Sequence, residues 1–121
     1  MHNIKDLKIW KKGIDLTVKI YSLSAKFPAD ERFGLISQMR RYAVSIPSNI
    51  SEGAGRNTKG EFGQFLGIAY GSCFELQTQM VIAEQLGFVG KELCLEILDN
   101  IDELQKMNYN LQKSLKVVKT L

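Results

Sequence analysis

One stripe of polar side chains gives this 121-residue chain its best opportunity for chemistry. It lies on the second of four predicted helices, roughly opposite the apolar side. Its members are Gln38, Arg41, Ser45, Ser48, Glu52 and Arg56. Arginine binds phosphates and carboxylates through paired hydrogen bonds. Two interpretations are open: a surface that contacts phosphate or a neighbouring subunit, or a solvated face on which Glu52 and Arg56 pair at i, i+4.

Two more basic positions belong to this part of the chain. Arg40 lies nearer the apolar side, and Glu75 of the third predicted helix is its candidate partner. Lys59 stands at the start of that third helix. The candidate contacts to phosphate or to another subunit are therefore Arg40, Arg41, Arg56 and Lys59.

Residue types needed for catalysis or metal binding are scarce. The single histidine, His2, lies at a terminus, which argues against di-iron sites, histidine-based zinc sites and Ser-His or Cys-His nucleophiles. Cys73 and Cys94 occupy apolar helix positions without CxxC spacing, so we expect buried free thiols. We predict no catalytic residues, metal, cofactor or small-molecule substrate, and therefore a protein that is not an enzyme.

Charge is distributed unevenly along the chain. Residues 1–60 carry eleven Lys or Arg and five Asp or Glu, whereas residues 61–121 carry five Lys and eight Asp or Glu. This asymmetry permits an anionic partner for the first half, and it equally permits one half of the fold to neutralise the other. No apolar run reaches the roughly 18–20 residues of a membrane span. The N-terminus lacks the apolar region of a signal peptide, so we expect a cytoplasmic protein.

The elements that position these residues are four helices in one domain, residues 1–121. Their predicted ranges are about 5–26, 33–57, 59–86 and 91–119, and short connections make neighbours antiparallel. Apolar residues repeat in steps of three and four, which favours left-handed packing. We predict an all-α, up-and-down four-helix bundle.

Four local features refine this prediction. Pro47 interrupts the second helix and cannot donate to the Ala43 carbonyl, so that helix is either kinked or divided by a turn; the unbroken apolar phase favours the kink. Thr58 and Glu61 have the form of a capping box, and Gly87 is a left-handed stop. Asn108 interrupts an apolar row, where it either fixes register or lies hydrated at the edge.

Two helices carry more uncharged surface than a closed bundle needs. The first has two apolar rows, with small residues in the arc between them, and only a narrow strip of the helix is charged. The third carries three glycines spaced by four, each costing about 1 kcal/mol relative to Ala unless another backbone approaches. We therefore predict self-association, with these candidate contacts: Trp10, Ile14, Tyr21, Gly63, Gly67 and Gly71.

Three stretches carry a family resemblance. They are DLKIWKKGIDL at 6–16, FPADERFGLISQMRRYAVSIPSNISEGAGR at 27–56 and EFGQFLGIAYGSCFELQTQ at 61–79. Together they resemble the bacterial four helix bundle protein family, also called 23S rRNA intervening-sequence proteins because some are encoded within insertions in large-subunit rRNA genes. The match covers residues 6–87, and SIPSNISEG at 45–53 is its most specific part.

The resemblance implies an up-down bundle that forms a ring of identical subunits, typically a pentamer. The fold is also similar to the accessory variability protein of diversity-generating retroelements, a basic pentameric barrel that handles nucleic acid. The family supplies no catalytic residues. Our leading hypothesis is a non-enzymatic homo-oligomer that binds RNA or DNA through backbone phosphates. No exposed aromatic platform is predicted, so sequence-specific readout is not expected. The alternative is an interaction scaffold with no nucleic-acid role, in which charge asymmetry serves subunit packing.

Overall fold

Four α-helices joined by short connections form the bundle in the computed structural model, which describes residues 3–116. They are α1 (Lys8–Ser24), α2 (Leu35–Ala54), α3 (Lys59–Gln85) and α4 (Lys91–Leu115). α1 packs on α2 and α4, and α3 packs on the same two helices. α1 and α3 therefore occupy diagonal corners. The predicted all-α four-helix bundle is confirmed, and the hand of its packing stays a prediction.

The first two helices begin later than predicted. Ile4–Asp6 form a separate 3-10 turn, and Leu7 is extended, so α1 starts only at Lys8. α2 starts at Leu35 because Gly34 has a non-helical backbone (φ −106°, ψ −112°). The carboxylate of Glu31 caps this start by accepting the Leu35 N–H at 3.1 Å.

The helix ends also differ from prediction in places. α1 ends at Ser24 rather than about 26, and α2 ends at Ala54 rather than about 57. The α3 cap is confirmed: the Thr58 hydroxyl oxygen accepts the Glu61 N–H, and the hydroxyl donates to the Glu61 carboxylate, both at 3.1 Å. Gly87 ends the helix with φ 79°. The predicted extension of α4 to 119 lies outside the described residues.

Apolar rows from all four helices meet in one core. The apolar rows predicted for three helices are buried. They are Ile36, Met39, Ala43, Ile46, Ile50 and Ala54 of α2, Phe62, Leu66, Ala69, Cys73, Leu76, Met80 and Ala83 of α3, and Cys94, Ile97, Ile101 and Leu104 of α4. α1 contributes only its second row: Ile9, Leu16, Ile20 and Leu23, with Phe27 beyond its end. The first row of α1 thus contributes little to this core, although Leu7 and Trp10 pack partly against it.

α2 continues through Pro47 without a break. The alternative of a turn between two short helices is therefore wrong, while the kink stays a prediction. Proline has no N–H for the Ala43 carbonyl. The Thr17 hydroxyl of α1 lies 3.0 Å from that oxygen and 2.8 Å from the Gly13 carbonyl. Gly13 allows this approach, since a Cβ there would lie 3.3 Å from the Pro47 Cβ. α1 thus supplies the hydrogen bond that α2 cannot make.

The α2–α3 contact is tightest at Gly53, near the end of α2. A Cβ at Gly53 would lie 2.8 Å from the Phe65 Cβ and 2.9 Å from the Phe62 Cδ1. Farther along the same contact, the hydroxyls of Ser45 and Ser72 are 2.9 Å apart. Glycine at 53 is therefore required by the packing of α3 on α2.

Asn108 is buried, with 1% of its surface exposed. Its Nδ2 donates to the Leu66 carbonyl of α3 at 3.0 Å, and its Oδ1 accepts from Gln112 at 2.6 Å. The interpretation of a hydrated edge position is therefore wrong. The side chain instead links α4 to α3 at one fixed register.

Candidate functional site

The predicted polar stripe of α2 is divided in the structure. Ser45 turns toward α3, where it bonds Ser72, and Asn49 donates to it from the next turn. Arg41, Ser48 and Glu52 are exposed. The stripe is thus two exposed patches separated by a half-buried serine.

The side chain of Arg40, a residue of α2, reaches the C-terminal end of α1. Its Nε donates to the Ser24 hydroxyl at 2.9 Å and its Nη2 donates to the Tyr21 carbonyl at 3.2 Å. Its guanidinium lies 4.5 Å from the centroid of the Tyr21 ring. The expected pairing with Glu75 is therefore wrong. Arg40 satisfies the C-terminal turn of α1, where a cation is favoured by the helix dipole.

Arg56 is balanced by two carboxylates. The predicted pair with Glu52 is confirmed at 3.6 Å, and Glu61 of α3 lies at 3.8 Å. The guanidinium also lies 4.8 Å from the centroid of the Phe65 ring. Exposed pairs of this kind add little to stability. Their main effect here is to cancel the charge that Arg56 would offer an anion.

Arg41 and Lys59 are exposed, and within residues 3–116 neither takes part in an ion pair or a side-chain hydrogen bond. They do not lie together. Arg40 and Arg41 stand in the first half of α2, while Arg56 and Lys59 follow its end. At 1.5 Å per residue, the helix between Arg41 and Ala54 spans about 20 Å. The four basic residues predicted as one site therefore form two separate groups.

A groove that the sequence did not predict lies beside Arg41. It is an open groove of about 550 Å³ between the end of α1 and the start of α2. Arg32, Phe33, Arg40, Arg41 and Tyr21 line it, together with three smaller side chains, and none of the lining residues is acidic. Phe33 is 88% exposed, and the Arg32 guanidinium lies 5.5 Å from its ring centroid.

This single exposed ring is not evident from the sequence, from which no exposed aromatic platform is predicted. The sequence places Phe33 at the start of the second predicted helix. The structure puts it just before Gly34, ahead of the helix start. The signal that could have revealed it is the Arg-Phe-Gly sequence between a proline-led turn and the helix.

The larger groove, of about 800 Å³, is lined by four residues of the SIPSNISEG motif: Pro47, Ser48, Ser51 and Glu52. Trp10 and Ile14 of α1 and residues that follow α2, among them Arg56, also line it. These four motif residues thus face the first apolar row of α1 across a shallow depression, whereas Ile46 and Ile50 of the motif lie in the core.

The predicted oligomer contacts lie on two surfaces. On α1, Ile14 and Tyr21 are exposed, Trp10 is half-buried and Val18 is 63% exposed. On α3, Gly67 and Gly71 are exposed and Gly63 is half-buried. A Cβ at any of the three glycines would meet nothing within 4 Å. Within residues 3–116, no other backbone segment therefore packs on the glycine row.

Charge from the two halves meets across the bundle. Lys12 of α1 pairs with Glu103 of α4 at 2.7 Å, and Lys19 lies 3.9 Å from Glu96. Lys19 also donates to Asn100 at 2.9 Å. Part of the sequence asymmetry is thus neutralised inside one chain.

The cysteines are buried and free, as predicted. Burial raises the pKa of the Cys73 thiol to about 12. Burial, with a smaller contribution from the charge of Glu84, also raises the pKa of Cys94. Neither thiol resembles an activated nucleophile, which needs a lowered pKa. Among residues 3–116, no group of three or more His, Cys, Asp or Glu is placed to hold a metal ion. No helix in that range is long and apolar enough to cross a membrane.

The fold and these surfaces define a small helical-bundle protein with a basic groove that carries aromatic rings. It also has two uncovered faces: the exposed row of α1, with Ile14, Val18 and Tyr21, and the glycine row of α3. The chain belongs to the family of 23S rRNA-intervening sequence proteins, whose model matches residues 5–110. That match extends farther into α4 than the resemblance over residues 6–87 indicated.

A solved structure supports the same fold. The chain is similar to a protein with unknown function from the S23 ribosomal protein family of Bacteroides thetaiotaomicron, with a TM-score of 0.81 and 21% identity. The alignment covers 87% of this chain and 95% of that one. A search of curated proteins finds no match. Neither the family description nor that of the neighbour names an enzymatic activity.

Proposed function

We propose that the protein is a non-enzymatic, cytoplasmic homo-oligomer that binds RNA or DNA through backbone phosphates. The observation that carries the proposal is the unpaired positive charge of Arg41 on α2. Arg41 has no carboxylate partner in its groove, whereas Arg56 has two. Binding of phosphates by such cations releases counterions and is strongly salt-dependent.

Self-association is supported by the two uncovered faces. They lie on α1 and α3, which occupy diagonal corners of the bundle. A contact between two different surfaces is heterologous, and repeating it builds a ring when the rotation closes. This arrangement suits the ring of subunits, typically five, that the family resemblance implies.

The test of self-association uses α1. Val18→Glu places a charge on the exposed apolar row, and Lys11→Glu makes a matched change on the charged strip of the same helix. We expect multi-angle light scattering to show a ring-sized mass for wild type and Lys11→Glu, and a reduced mass for Val18→Glu. A wild-type monomer at micromolar concentration would refute self-association.

The test of nucleic-acid binding compares two exposed arginines. Filter binding across a salt series should show that Arg41→Gln weakens binding and lowers the slope of log K against log salt by about one. Arg56→Gln is the matched control, since its carboxylate partners already cancel its charge, and we expect a smaller loss. Absence of binding by wild type at low salt would remove the nucleic-acid role.

The alternative function is an interaction scaffold with no nucleic-acid role. The ion pairs Lys12–Glu103 and Lys19–Glu96 support it in one respect: they use basic charge of α1 inside the chain and so leave less of it for an anionic partner. Both pairs lie within one chain, and charged residues on other faces stay available for contacts between subunits. Retention of the oligomer together with no binding of nucleic acid would establish this alternative.

A further inference from the structure

We propose that the groove between α1 and α2 binds one unstacked base of a single-stranded nucleic acid, with Phe33 as the stacking surface. This inference rests on the proposed nucleic-acid function and names its substrate class as single-stranded. The groove carries three arginines, two aromatic rings and no acidic lining residue. That combination is complementary to an anionic strand with exposed bases.

Phe33 is the centre of the site. Phe33 is 88% exposed, the largest value among the exposed apolar side chains of the described residues, so its ring contributes almost nothing to the core and is open to a ligand. The Arg32 guanidinium lies 5.5 Å from its centroid, over one face of the ring. The opposite face is free to stack on a base, and the cation strengthens an aromatic platform of this kind.

Two of the three arginines are available for phosphates. Arg40 is committed to Ser24 and to the Tyr21 carbonyl, so its role is to hold Tyr21 and the end of α1 in place. Arg41 has no partner among the described residues, and Arg32 contacts only the Phe33 ring. Arg32 stands before the start of α2, and Arg41 lies within α2.

Negative charge near the groove is limited. Glu31 precedes Arg32, but its Oε1 accepts the Leu35 N–H at 3.1 Å and so is tied to the start of α2. Asp30 is exposed in the preceding 3-10 turn and does not line the groove. The groove therefore keeps a net positive character.

The accessible ring favours a single strand over a duplex. Bases in a duplex are stacked on each other and present only their edges, whereas bases of a single strand present a face. A duplex could use Arg32 and Arg41 through its phosphates but would leave Phe33 without a role.

The experiment measures fluorescence anisotropy of the full-length protein with a labelled oligo(dT), a labelled oligo(rU) and a blunt duplex of equal length. The variants are Phe33→Leu, Arg41→Gln and Phe74→Leu, the last being the same change at an exposed ring on α3. We expect Phe33→Leu to weaken single-strand binding at least fivefold and duplex binding less than twofold. Phe74→Leu should leave both unchanged.

The outcomes separate the two proposals. Equal binding of duplex and single strands, insensitive to Phe33→Leu but weakened by Arg41→Gln, would overturn the stacking site and leave phosphate binding in place. Strong binding unaffected by either variant would place the interface elsewhere and overturn the groove. No binding of any probe at low salt would overturn the proposed function itself. Since Phe33 and Arg41 are exposed, unchanged circular dichroism is expected to show that the variants fold.

Discussion

Thr17→Val removes the hydroxyl that serves the Ala43 carbonyl and leaves a side chain of nearly the same shape. The Gly13 carbonyl keeps one hydrogen bond in this variant, since it also accepts the backbone N–H of residue 17 within α1. The Ala43 carbonyl loses its partner, because residue 47 is proline and has no N–H. A buried carbonyl left unpaired costs about 1–3 kcal/mol. We expect the free energy of unfolding to fall by about 1–2 kcal/mol, since Thr17 itself is only half-buried.

The second perturbation is Pro47→Ala, which restores an N–H to α2. That N–H can donate to Ala43 along the helix, so the Thr17 hydroxyl becomes redundant. We therefore expect Thr17→Val to cost less than about 0.5 kcal/mol in the Pro47→Ala background. The coupling energy between the two positions is the difference, about 1 kcal/mol.

The assay is urea unfolding followed by far-UV circular dichroism for wild type, both single variants and the double variant. Protein concentration is held fixed, since association contributes to apparent stability. Thr17→Ser is the control that keeps the hydroxyl and loses only a methyl group. An equal cost of Thr17→Val in both backgrounds would refute the idea that this hydroxyl compensates for the proline.

Three further perturbations test the packing. Gly53→Ala should destabilise the protein by about 1–3 kcal/mol, because its Cβ would overlap the wall of α3; the matched Gly67→Ala should stabilise an isolated subunit by about 0.5–1 kcal/mol. Equal effects in urea unfolding of monomeric samples would contradict this. Asn108→Asp should cost more than about 2 kcal/mol at pH 7, because it buries a carboxylate, and less at pH 4, where the acid is protonated and can donate. A pH-independent cost would be inconsistent with a buried charge. Cys73 ionises only near pH 12 when folded but near 9.0 when unfolded, so its contribution to stability is full below pH 9 and declines by about 1.4 kcal/mol per pH unit above it. This decline is measured as the difference in the free energy of unfolding between wild type and Cys73→Ala, and it should be absent if the thiol is exposed in the folded protein.

Periodicity was enough to predict the helices and their buried rows. The step-three and step-four seams of α2, α3 and most of α4 are buried as expected, because alternating spacing leaves one consistent apolar side. The start of α2 could not be predicted this way. Its position depends on the backbone of Gly34 and on a cap from Glu31, which periodicity does not encode.

The candidate site was predicted less well for a similar reason. The sequence correctly paired Glu52 with Arg56, because that contact is local. Arg40 was given a partner on the wrong helix, since Ser24 and Tyr21 of α1 become its neighbours only when α2 packs back against α1. The exposure of Phe33 likewise depends on where a helix starts, and a shift of two residues changes its environment.

The contact between α1 and α4 joins helices that are far apart in sequence. Lys19 and Asn100, which are 81 residues apart, meet there. During synthesis, α1 emerges well before its neighbour α4. The core row of α1 can pack on α2 early, yet the side that meets α4 stays uncovered until residues 91–115 have emerged. The growing chain therefore exposes apolar surface of α1 over the synthesis of α2 and α3, and the bundle closes only when α4 arrives.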